Sequence, residues 1–68
     1  MSQTALKYLD YARNCIFLAE KQERPEDRLE LLAMAHAWRS LAERTAEIEM
    51  LLKGAKERGI IPPRAAMH

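Results

Sequence analysis

Leu31, Met34, Trp38, Leu41, Thr45, Ile48 and Leu52 follow one another at steps of 3, 4, 3, 4, 3 and 4. That alternation is the heptad signature of a helix carrying one apolar seam, here about six turns long. No proline or glycine lies inside it, and it holds the single tryptophan. The rest of the chain is organised around this seam, and the residues N-terminal to it read as its packing partner.

From the hydroxyls of Ser2 or Thr4, either of which suits an N-cap, to about Gln22 the pattern is again helical. One stripe is Ala5, Leu9, Ala12, Ile16 and Ala19; beside it run Tyr8, Tyr11, Cys15 and Leu18. Together they make a broad apolar face, wider than a strict coiled-coil seam. Leu6 and Phe17 fall off that face. Pro25 then breaks the pattern: it disfavours helical geometry at Arg24 and lacks the N–H a helix interior needs. It suits the first position of a new helix, where Glu26 and Asp27 complement the helix dipole. A joint of two to five residues forces an antiparallel helical hairpin.

The second helix has two candidate stops, Gly54 and Gly59. Gly59 is the better one. Lys56 and Arg58 would fill the last turn, Gly59 would adopt the left-handed conformation, and Ile60 would close the hydrophobic contact of a Schellman motif. Pro62 and Pro63 forbid continuation. The expected architecture is all-α: helices over about 3–22 and 25–58, residues 1–68 forming one domain, and 60–68 a short flexible tail.

Sixty-eight residues support only a small core, typically about 3–5 kcal/mol of net stability without a further staple. Cys15 is the only cysteine, so no internal disulfide forms, and it reads as a small core residue of a reduced chain. His36 and His68 are the only histidines. With no further Cys or His at ligand spacing, no metal site is expected, and no cofactor motif is present. Eleven alanines favour helix and let helices approach closely. Residues 1–52 carry seven Lys/Arg against nine Asp/Glu, net −2; residues 53–68 carry four against one, net +3. The N-terminus lacks a signal-peptide pattern, and no apolar run approaches the about 20 residues that span a bilayer. A cytoplasmic protein that does not enter membranes is the expectation.

Glu43 and Glu47, four residues apart, form a possible carboxylate pair, but Arg39 and Arg44 are within pairing range on the same helix. Cys15 and His36 could meet across the hairpin. A Cys–His dyad also needs a cleft and an oxyanion site, and two helices enclose neither. Enzymatic activity is not expected. The aromatics Tyr8, Tyr11 and Trp38 sit at helical spacing, as core residues do, rather than as a base-stacking platform.

Tyr11-Ala12, Cys15, Leu18-Ala19, the joint Pro25-Glu26-Asp27-Arg28, and Leu31-Leu32-Ala33-Met34-Ala35 with Ala37-Trp38 and Leu41-Ala42 resemble a recurring group of short, uncharacterised bacterial helical-hairpin proteins. Their shared pattern is a Pro-x-x-Arg joint followed by a Leu-Leu-x-Met-Ala-x-x-Trp-x-x-Leu-Ala helix. The resemblance covers about residues 8–43. It implies a helical hairpin and no activity, so it assigns no functional residue.

The two helices differ in length, about 30 Å against about 50 Å at 1.5 Å per residue. The start of helix 1 is expected opposite roughly Thr45–Ala46, leaving Ile48, Leu51, Leu52, Ala55, Ile60 and Ile61 beyond it. Such a patch calls for a second chain. The expected function is therefore a non-enzymatic interaction module. It self-associates as a homodimeric four-helix bundle through Leu31, Met34, Trp38, Leu41, Thr45, Ile48, Leu51 and Leu52, and it binds a further, unidentified protein partner. The alternative is a nucleic-acid-associated regulator using the basic region 53–64, against which the acidic body of the chain weighs.

Overall fold

In the computed structural model of the protein, residues 2–59 are described. Expectations placed on residues 60–68, namely the Ile60 contact, the flexible tail and the distal part of the basic region, lie outside the described residues. Two helices make up the fold: α1 (Gln3–Glu20) and α2 (Pro25–Glu57). They pack against each other as an antiparallel hairpin, 53 Å long and only 14 Å through its thinnest dimension.

Each helix boundary has a local cause. Ser2 caps α1 in an extended conformation, its Oγ accepting from the Ala5 amide at 3.2 Å, which satisfies one of the free donors of the first turn. At the other end, the Lys21 and Gln22 amides donate to the Leu18 and Ala19 carbonyls, a tightening that ends α1 two residues earlier than its pattern suggests. Arg24 is extended, as the residue before a proline must be, and Pro25 opens α2. No side chain caps this end; Glu26 and Asp27 stand in its first turn instead. The α2 terminus follows the Gly59 reading. Gly59 has φ +78°, and its amide donates to the Lys56 carbonyl at 3.1 Å, one of the two bonds of the Schellman motif. Gly54 is an interior helical residue.

The buried residues are Ala5, Ala12, Cys15 and Ala19 on α1, and Ala35 and Ala42 on α2. Ala5, Ala12 and Ala19 recur every seven residues, as do Ala35 and Ala42, so each helix presents a line of methyl groups to the other. Small side chains let the axes approach toward the close end of the usual about 8–10 Å. Among the described residues no large side chain is fully buried. Trp38, expected to lie largely buried between the helices, is half-buried. The α2 line toward α1 runs through Leu31, Ala35, Trp38, Ala42 and Thr45, turned one residue from the Met34–Leu41–Ile48 line of the hydrophobic pattern. An apolar stripe wider than one contact can supply the residues for α1 on one edge only.

The helices are also offset more than the lengths imply. Ser2 shares a surface hollow with Ala46, Glu49, Met50 and Lys53, so α1 begins about one turn further along α2 than Thr45–Ala46. The joint at 21–24, not α1, lies beside the first turn of α2. About two turns of α2, up to Glu57, extend past the start of α1.

Candidate interaction surface

At about 100° per residue, Met34, Leu41, Ile48 and Leu52 project between a quarter and a third of a turn from the Ala35–Ala42 line. They therefore sit on one broad side of the hairpin, the front. Trp38 fixes which α1 residues share that side. Its ring stacks on Tyr8 (centroids 5.6 Å, interplanar 29°) and tilts against Tyr11 (4.8 Å, 58°), and it shares an open hollow with Tyr11, Asn14, Cys15 and Leu18. The front thus presents Tyr11, Leu18, Met34, Leu41, Ile48 and Leu52, all at least 38% exposed, around the half-buried Leu31, Trp38 and Thr45. Seven of the eight residues expected to form the interface lie here. Leu51 does not: it projects outward beside Glu47 and Met50 at 69% exposure.

The back is different in kind. Ile16, Leu32, Ala35, His36 and Arg39 line a hollow there, and Phe17 and Leu6 stand exposed on the outer flank of α1, as their off-stripe positions imply. The Lys21 ammonium lies 4.3 Å from the Phe17 ring centroid, a cation–π contact at an exposed site. Glu49 lines the same hollow as Ser2, and its Oε1 is screened from solvent with no hydrogen-bond partner among the described residues. α1 has no acidic residue in its own first turn, so Glu49 brings a negative charge from α2 to the positive end of α1.

The chemical candidates are not assembled. Cys15 lines the front hollow and His36 the back one, so the hairpin separates the two groups that a dyad would join. Glu43, Glu47, Arg39 and Arg44 are all exposed. Among the described residues the ion pairs are Asp10–Arg13 at 4.0 Å and Arg24–Glu26 at 3.4 Å, so the pairing expected for Glu43 and Glu47 is not made. No group of three or more His, Cys, Asp or Glu among the described residues can hold a metal. No helix among them is long and apolar enough to cross a membrane. The heptad pattern places the α2 residues of the front on one side; Tyr11 and Leu18 of α1 share that side and are not in the expected interface. Ala5, Ala12 and Ala19 lie on the α1 stripe that the sequence pattern predicts; the α2 half of the alanine line, Ala35 and Ala42, is not on the predicted seam. No family model matches this chain, and neither a curated protein nor a solved structure matches it.

Proposed function

We propose that this chain is an interaction module: a helical hairpin that self-associates through its front and, so assembled, binds another protein. One observation carries the reading. Among the described residues the buried apolar positions hold alanine and cysteine, while twelve large apolar side chains stay exposed, six of them on the front. Burying a large apolar side chain is worth about 1.5–3 kcal/mol, and an alanine methyl much less. Much of the apolar area that could stabilise the fold is therefore left outside the intramolecular contact. A contiguous apolar patch on a single chain marks an interaction site, and a face about 53 by 21 Å can supply the about 800 Å² per partner of a standard interface. The other six, Leu6, Phe17, Leu29, Leu32, Met50 and Leu51, lie away from the front, and the first four are left for the second partner.

Light scattering at micromolar concentration tests the first half: twice the chain mass is expected, falling toward one with Leu41→Glu and Ile48→Glu. A folded monomer at high concentration overturns it. For the second half, a partner purified with the wild-type chain should be lost with Phe17→Ser and Leu29→Ser while the dimer mass persists. Retention of the partner by that variant rules out the assigned surface.

A further inference from the structure

Resting on that self-association, we infer that the second copy lies front to front in the opposite sense, with Leu41 on the two-fold axis and each α2 running antiparallel along the whole of the other. Leu41 is the central residue of α2 (Pro25–Glu57), so a two-fold axis there brings the two long helices into full overlap. The copy's joint end then reaches the two turns of α2 that α1 leaves uncovered. Hairpins paired in the same sense do not achieve this. With the two fronts fully overlapped, a two-fold parallel to the helices sets α2 over the partner's α1, which stops where α1 stops, and the overhang of both copies stays in water.

The side chains fit the same choice. Outward from Leu41, the front of α2 carries Trp38 on one side and Thr45 on the other. Met34 and Ile48 follow, then Leu31 and Leu52, and finally Asp27 and Lys56. In the opposite sense the largest side chain, Trp38, meets the small Thr45 of the partner subunit, and Leu41 meets the partner's Leu41. Interiors pack to a uniform density, so bulky-against-small layers fit where bulky-against-bulky layers strain. Pairing in the same sense instead gathers Trp38, Tyr8 and Tyr11 of both copies in one zone and the threonines Thr4 and Thr45 of both in another. Charge points the same way. Asp27 is in the first turn of α2 and Lys56 in its last. The antiparallel register sets Asp27 against the partner's Lys56, opposite charges at opposite dipole ends.

A nitroxide at Glu57→Cys, an exposed position, with Cys15→Ala removing the native thiol, reads the sense directly by electron–electron dipolar spectroscopy. Sixteen residues separate Leu41 from Glu57 in each copy, so the antiparallel arrangement places the labels about 50 Å apart. The same-sense arrangement brings them within about 15–25 Å. Light scattering on the same sample separates the failures. Dimer mass with the short distance overturns the antiparallel arrangement and leaves self-association standing; monomer mass overturns both. A second measurement keeps Cys15 in place. Asp27→Lys should lower the dimer fraction at a fixed concentration, and adding Lys56→Asp to the same chain should restore it. Absence of rescue counts against the register.

Discussion

On α2 two sets of residues recur with the same seven-residue period and sit one position apart. Ala35 and Ala42 face α1 and are buried; Met34, Leu41 and Ile48 face sideways and are exposed. The helix is equally regular at both. What differs is side-chain size, and size decides which contact each line can serve. The alanine line sets a close approach and one well-defined distance between helices, at small gain per residue. The Met34–Leu41–Ile48 line carries the larger apolar area, and the hairpin leaves much of it exposed. The first line therefore specifies the hairpin and the second stabilises it, once something covers it.

Trp38 is the largest of the residues that lie between the two lines, leaning on Tyr8 and Tyr11 and lining the open hollow on the front. Removing it should have the largest effect. Trp38→Ala is expected to cost about 3–5 kcal/mol in urea unfolding at a fixed, micromolar chain concentration. It should also make the midpoint depend less steeply on concentration. A loss below about 1 kcal/mol would show that neither line uses it.

Enlarging one alanine separates the two roles. Ala42 has no solvent exposure, so Ala42→Leu forces the helices apart and should cost about 1–3 kcal/mol. The neighbouring Leu41→Ala leaves the hairpin contact untouched and should act on assembly instead. The expected pattern is a hairpin loosened at every concentration in the first variant, and a weakened dimer with retained helix in the second. If circular dichroism and light scattering move together in both, the two lines are not distinct.

Much of this was legible in the sequence because helix-forming signals are local. Pro25 fixes its own backbone angle, Gly59 tolerates a positive φ, and Ser2 offers an oxygen to nearby amides; each acts over one turn. The heptad pattern likewise gives the apolar side of α2. Which edge of that side meets α1 is a tertiary question, settled by how close two helices can come. Leucine spacing is silent on that; the alanines answer it, but their number alone does not show that Ala35 and Ala42 are the ones on α2 that meet α1. The offset of the helices differs from the expected one for a related reason: the joint occupies length beside the first turn of α2, and residue type does not reveal how a four-residue joint runs.

The start of α1 offers a milder test of how far the alanine line extends. Ala5, fully buried, is the last methyl of that line on α1, and the bond from its amide to Ser2 Oγ holds the turn that carries it. Ser2→Ala should cost about 1 kcal/mol. Hydrogen exchange should place the loss in the first turn of α1 and in the α2 residues facing it around Ala42–Glu49. Exchange confined to α1 would mean that the line has already ended before Ala5.

The smallest expected effect is at Gly54, in the part of α2 where the alanine line has run out and only the front line continues through Leu52. A β-carbon at Gly54 would meet the Arg58 guanidinium at 3.4 Å, the far end of a flexible side chain that can move aside. The position projects toward the back, so the substitution leaves the front chemistry unchanged. Gly54→Ala therefore acts through backbone entropy, stabilising by up to about 1 kcal/mol. Its counterpart, Gly59→Ala, should destabilise, because φ +78° is costly for any β-carbon. The Gly54 gain also reports on the overhang. If a second copy covers these turns, their ordering is part of the cooperative transition. The whole gain then appears in the unfolding midpoint and in tighter dimerisation. If they stand alone in water, the last turns fray independently of the rest; Gly54→Ala then raises the helical signal slightly and leaves the midpoint and the dimer fraction where they were. A concentration series of the two glycine variants, read by circular dichroism and light scattering together, decides between a covered end and a free one.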